Sequence, residues 1–300
     1  MPQALAVDAV EDPHLADTIG TAEPAGPFPA RGYDPRVDPA HAHLRAYLAA
    51  VAALPGGELH ESGGLRWCQT SIAWPMFNGA IASPDAGDCG AAGPVAASLA
   101  GAGLPWFLWV LPDTPADVME GAARAGAFEF DRQAPWMEAR IAELDDPEPP
   151  AGVTIEEVTD EAGYRLWAAT LREIYEFPAL GEAAWVKPAE LLAWRDVPWR
   201  QWIAFADGEP AGVTLLYCGG GVAGLFGVGT KPSMRRRGIG RLVTLLPLKE
   251  SGEELAGFFA TPDGEALYRG LGFETRGWVS RWLGGLPDPG ALDRARGGNP

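Results

Sequence analysis

The residues best suited to chemistry lie between Val228 and Arg241, in the order Val228-Gly229-Thr230-Lys231-Pro232-Ser233-Met234-Arg235-Arg236-Arg237-Gly238-Ile239-Gly240-Arg241. Glycines let backbone N–H groups approach an anion closely, and the unpaired N–H groups of a helix start point at it; arginines add full positive charge. Alone, the arginines would read as a solvated basic helix start and the glycines as an ordinary turn. Together they form a polyanion cradle, and phosphate is its natural guest.

The surrounding elements fit that use. Residues 222–228 are a strand-like run, Pro232 sets a turn, and the apolar run 242–246 marks a helix that opens at Gly238 and Gly240. Pro247 should interrupt this helix about two turns in, because it lacks a backbone donor. Some 30 residues further on stands Ala266-Leu267-Tyr268-Arg269-Gly270-Leu271-Gly272-Phe273, where a last helix runs into a strand.

In these two segments the chain resembles the GCN5-related N-acetyltransferase family. Arg235 to Gly240 matches its R-x-x-G-x-G/A signature, and Tyr268 to Phe273 its later Y-x-x-x-G-F segment, in the same order. The resemblance implies acetyl-CoA, or another acyl-CoA, as co-substrate without a metal. It implies that the backbone of Val228, Gly229 and Thr230 pairs with the pantetheine arm and polarises the thioester carbonyl. Arg235, Arg236, Arg237, Gly238, Ile239, Gly240 and Arg241 would then hold the pyrophosphate, and Tyr268 would protonate the departing thiolate. A tyrosine can serve as such a general acid. The amine acceptor needs a general base, yet the strand 222–228 contains no acid. Glu173, Glu176 and Asp196 are the other carboxylate candidates, each also readable as a surface charge, and all four histidines lie in the N-terminal half. Thr261-Pro262-Asp263-Gly264 stands where many members of the family carry an asparagine.

Composition narrows the class. The 300 residues are 47% hydrophobic with 12 Trp, enough for two hydrophobic cores. Three cysteines without ligand spacing indicate neither a disulfide framework nor a zinc site. No long apolar run or signal segment is evident, so a cytoplasmic protein without membrane association is expected. The net charge of −17 is uneven: residues 1–150 hold 7 Arg and no Lys against 21 acidic residues, and five of the sixteen cations of residues 151–300 fall between Lys231 and Arg241. Nucleic acid is therefore not expected as a partner. A small-molecule amine is the expected acceptor; whether the chain is a monomer or a homodimer is left open.

The pattern along the chain predicts a mixed α/β fold of two tandem domains, each with a mixed, mostly antiparallel sheet flanked by helices. The expected boundaries are an extended arm over 1–38, a first domain over 39–144, a linker over 145–152, a second domain over 153–285 and a tail over 286–300. An internal repeat supports the tandem reading: strand, Pro-Asp, helix, glycine, Phe-Glu recurs from Phe107 to Glu129 and from Phe258 to Glu274. Residues 82–94, the counterpart of the cradle, carry Asp85 and Asp88 but no arginine, so the first copy is expected to be degenerate. Residues 128–130 with 136–141, and 273–275 with 278–283, are each expected as two strands. Trp185, Trp194, Trp199 and Trp202 read as core residues, or as an apolar acceptor wall. Rival functions are a non-catalytic CoA-binding or partner-binding module, and a transferase using an aminoacyl carrier.

Overall fold

A computed structural model describes residues 38–82, 97–99, 101–111, 114–175 and 199–285, all within one compact unit. The elements in chain order are α1 (Pro39–Ala52), β1 (Glu58–Ser62), β2 (Leu65–Gln69), β3 (Gly79–Ala82), β4 (Trp106–Val110), α2 (Ala116–Arg124) and β5 (Phe128–Arg140). There follow β6 (Val153–Glu157), α3 (Glu161–Tyr175), β7 (Trp199–Ala206), β8 (Glu209–Gly219), β9 (Val222–Thr230), α4 (Ile239–Lys249), β10 (Leu255–Phe259), α5 (Pro262–Gly270) and β11 (Glu274–Gly284).

Local chemistry accounts for these elements. Asp38 accepts a hydrogen bond from the His41 N–H and Pro39 opens the first turn of α1, whose buried stripe is Leu44, Tyr47, Leu48 and Val51. In α3, Tyr164, Trp167, Ala168 and Leu171 recur at helical spacing and are buried. Asp207 (φ 54) and Gly208 (φ 83) turn β7 into β8, and Gly220 and Gly221, also at positive φ, turn β8 into β9. Two successive positive-φ residues give the twist that a tight hairpin needs.

The eleven strands among the described residues form one sheet in the order β1-β2-β3-β4-β11-β5-β10-β9-β8-β7-β6. The expected pair of sheets is corrected to this single one, for a topological reason. β11 pairs antiparallel with both β4 and β5, and β5 pairs antiparallel with both β11 and β10. Each half of the chain thus completes its sheet with the last strand of the other half. About the β11–β5 pair the pattern repeats: parallel β3 and β4 answer parallel β9 and β10, and antiparallel β2–β3 answers antiparallel β8–β9. The strand pairs expected over 128–141 and 273–283 are single long strands, β5 and β11, with register shifts near Gly277 and Arg281 absorbing the irregular pattern. Spanning both neighbours requires that length.

Side-chain alternation places α1 and α3 on one face, with Trp109, Val213 and Tyr217 beneath them. The opposite face carries α4 and α5 over Trp202, Leu216 and Leu225, and α2 over Leu108. Pro247 does not end α4; the helix runs on to Lys249, with Pro247 buried inside it.

Candidate functional site

β9 and β10 are parallel, but they share one registered pair, Ala223 with Ala256. From Gly224 to Thr230, β9 has β8 along one side and, among the described residues, no strand along the other. Such an open edge offers backbone donors and acceptors to an extended ligand. A bulge interrupts it: four residues of β9, from Phe226 to Gly229, oppose three of β8, from Leu215 to Val213, and Gly227 adopts φ 59.

The chain leaves β9 through a short 3-10 turn at Pro232–Met234 and enters α4. Arg236 (φ 62) and Gly238 (φ 79) both lie in the left-handed region, which costs a non-glycine residue about 1–2 kcal/mol. This path turns successive N–H groups to one side. The first backbone bond of the helix runs from the Leu242 N–H to the Gly238 carbonyl, and Gly238 supplies no side-chain cap. Among the described residues, the six consecutive N–H groups from Arg236 to Arg241 have no acceptor. They coincide with the positive end of the helix dipole.

The cations around this nest differ in their engagement. Lys231 pairs with Glu173 at 2.5 Å, Arg237 with Asp207 at 2.8 Å and Arg241 with Asp145 at 2.7 Å. Arg235 and Arg236 are exposed and have no ion-pair partner among the described residues. Two of the four arginines expected to serve a ligand, Arg237 and Arg241, are therefore already shared with protein carboxylates. The Gly238 Cα lies against Pro150, where a Cβ would stand 2.8 Å from Cγ, and a Cβ on Gly240 would stand 3.2 Å from Leu267 Cδ2.

Tyr268 sits on α5, buried, edge-on to the ring of Phe258 at 4.6 Å and near Phe273 at 6.0 Å. Burial raises its pKa, and Tyr175 nearby raises it further. Tyr175, at the last turn of α3, donates its hydroxyl to the Val228 carbonyl at 2.6 Å. Its own pKa is pushed up to about 12 by burial, with Arg281 acting in the opposite sense. The two phenols belong to opposite faces of the sheet, Tyr175 to the α1/α3 side and Tyr268 to the α4/α5 side. They come within electrostatic reach where β9 and β10 have ceased to pair.

The structure thus gathers Val228, Gly229, Thr230, the segment from Arg235 to Arg241, and Tyr268 around one stretch of open strand edge. It adds Tyr175, which the sequence reading missed although a tyrosine closing an amphipathic helix was there to be noticed. Glu173 is engaged with Lys231; Glu176 and Asp196 lie outside the described residues, as do residues 83–94 of the cradle counterpart, Trp185 and Trp194. Trp199 and Trp202 are core residues. His43 is not remote: its Nδ1 donates to the Gly219 carbonyl at 2.9 Å, and its Nε2 packs on Gly224 of β9.

No protein-family model and no curated protein sequence matches the chain. Solved structures do match its fold. A GCN5-related N-acetyltransferase from Kribbella flavida aligns over 88% of this chain and 99% of its own at 20% identity, with a TM-score of 0.62. A conserved Staphylococcus epidermidis protein of unknown function aligns over 78% and 95% at 10% identity and 0.59. A GCN5-related N-acetyltransferase from Sphaerobacter thermophilus aligns over 83% and 94% at 13% identity and 0.51. The chain shares the fold of these three proteins across nearly the whole of their length.

Proposed function

We propose that the protein is an acyltransferase that moves an acetyl group from acetyl-CoA, or another acyl group from its CoA thioester, to the amine of a small molecule. The observation that carries this reading is the row of six N–H groups from Arg236 to Arg241 without acceptors, beside an unpaired strand edge. Phosphates are bound at such helix starts by donors aimed at them, and a pantetheine arm can pair with an open strand edge as a peptide would.

The residues divide the work. Arg235 and Arg236 add charge at the mouth of the nest. Gly238 gives the left-handed turn into the helix, and Gly240 permits close approach. The edge of β9 from Val228 to Thr230 positions the thioester. The amine attacks the thioester carbon, its nitrogen gives up a proton to solvent, the C–S bond breaks, and the sulfur leaves as thiolate. Tyr268, its pKa raised by burial, keeps its proton at neutral pH and offers it to that sulfur. The two halves of the chain are read as tandem copies that exchange their last strands, the first having lost its cradle and acting as a support for the second. The setting is read as cytoplasmic.

Binding and turnover separate the possibilities. Acetyl-CoA in excess should raise the melting temperature by mass action, and an unchanged melting curve at millimolar acetyl-CoA would sink the reading. A second reading, a CoA-binding module without catalysis, is favoured by the pairing of Glu173 with Lys231, which engages one candidate base. Release of free thiol with a panel of amines distinguishes the two.

A further inference from the structure

The last turn of α3 rides on the bulge of β9 at three successive points. Leu171 covers Gly227, where a Cβ would stand 3.2 Å from Cδ1. Ile174 covers Gly229, where a Cβ would stand 2.5 Å from Cγ2. Between these glycines, Tyr175 donates its hydroxyl to the Val228 carbonyl at 2.6 Å. Residues 171, 174 and 175 form one helical stripe, so a single rigid surface meets the bulge.

The chemistry of that contact is specific. A peptide group is planar, so fixing one carbonyl fixes the direction of the next N–H. The Val228–Gly229 peptide can rotate through ψ of Val228 and φ of Gly229, and glycine resists that rotation least of all residues. The packing of Leu171 and Ile174 holds the strand in place but does not choose between the two faces of this peptide. The ladder and the hydroxyl do: the Lys231 N–H bonds to the Ala211 carbonyl, so by antiparallel alternation the Gly229 N–H faces Val213 of β8, and the Val228 carbonyl faces the open edge, where the hydroxyl caps it. Uncapped, that carbonyl would meet an incoming acyl oxygen as an acceptor and repel it.

We propose that Tyr175 is a positioning residue: its hydroxyl caps the Val228 carbonyl, so that the open edge does not present a bare acceptor to the acyl oxygen of the bound thioester. This rests on the acyl-CoA reading of the cradle. It assigns a role in activation to a residue that touches neither the thioester nor the amine.

The test uses the full chain and [1-13C]acetyl-CoA as probe, so no acceptor has to be known. In the wild-type protein the isotope-edited infrared stretch of the thioester carbonyl is expected to fall below that of the free compound. In Tyr175→Phe, which keeps the ring and its packing, at least half of that shift should vanish while CoA affinity by calorimetry stays within threefold. A full shift in folded Tyr175→Phe overturns the proposal. So does a wild-type protein that binds acetyl-CoA with no shift at all. Absence of CoA binding to the wild type instead removes the parent reading, and this inference with it. Should Tyr175→Phe not fold, 3,5-difluorotyrosine at position 175 serves in its place. Raising the pH until that phenol ionises should abolish the shift, and its persistence counts against the proposal.

Discussion

The His43 imidazole donates through Nδ1 to the carbonyl of Gly219 at 2.9 Å, joining α1 to the β8–β9 turn across 176 positions of sequence. A carbonyl only accepts, so Nδ1 carries the proton and Nε2 faces Gly224 as a bare lone pair with no hydrogen-bond partner among the described residues. The ring is enclosed by Tyr217, Phe226 and Trp136. Burial lowers its pKa from 6.5 to about 4.

A pH dependence of stability follows from that environment. Between pH 6.5 and 4 the unfolded chain takes up a proton on His43 that the folded chain refuses, so stability rises with pH through this window. The contribution is complete above pH 6.5 and is lost as the pH falls toward 4, amounting to about 3 kcal/mol at 1.4 kcal/mol for each pH unit. Urea unfolding of the wild type and of His43→Gln at pH 7 and pH 4 checks this. The variant should be less stable at pH 7 and should lose less on acidification; equal acid losses would mean that His43 is not the group.

What could be read in advance divides by sequence distance. Arg235 to Gly240 specifies its own conformation, since the glycines, the turn proline and the apolar run act on neighbouring residues. The hairpin at Asp207-Gly208 is equally local. By contrast Tyr175 meets Val228 across 53 positions and His43 meets Gly219 across 176. Period and propensity describe which face of α3 or α1 is buried, and they do not say against what. The strand β1 escaped notice because Glu58-Leu59-His60-Glu61-Ser62 is a polar edge with one apolar residue. The exchange of β5 and β11 was not legible either, because both strands alternate in a way that suits either neighbour. In both halves the repeat from strand through Pro-Asp to Phe-Glu was visible; which partner its last strand would choose was not.

The two cradle glycines should fail differently. Gly240→Val places a branched side chain where the helix start must approach a phosphate, with the mobile end of Leu267 able to yield. Acetyl-CoA affinity should fall at least tenfold, or about 1.4 kcal/mol, with the melting temperature nearly kept. Gly238→Ala puts a Cβ at φ 79 and 2.8 Å from Pro150 Cγ. It should cost about 1–2 kcal/mol of stability as well as affinity. Calorimetry and urea unfolding on each variant check both halves; preserved affinity in Gly240→Val would remove the nest from the binding site.

The ion pair of Arg241 with Asp145 competes with a ligand for the same guanidinium. Asp145→Asn removes a negative charge at the mouth of the nest and releases that cation. CoA should bind about two- to fivefold tighter at low ionic strength, the gain fading as salt screens the site. Stability should change little, because exposed pairs contribute about 0–1 kcal/mol. Weaker binding by Asp145→Asn would show instead that the pair holds Arg241 in its working position.

Tyr268→Phe tests the acid directly. The variant keeps the ring that stands edge-on to Phe258, so folding and acetyl-CoA affinity should persist. Removing a positioned proton donor should lower kcat by about 10²–10⁴-fold. The pH profile gives a second reading. Burial and the neighbouring Tyr175 raise the pKa of Tyr268, so alkaline loss of the wild-type rate from this group should set in only above the range of an ordinary tyrosine. The slowing in Tyr268→Phe should ease with CoA thioesters whose thiols are more acidic, since a better leaving group needs the proton less. A variant equally slow with every leaving group would place the role of Tyr268 in packing the splayed edge, not in protonating the sulfur.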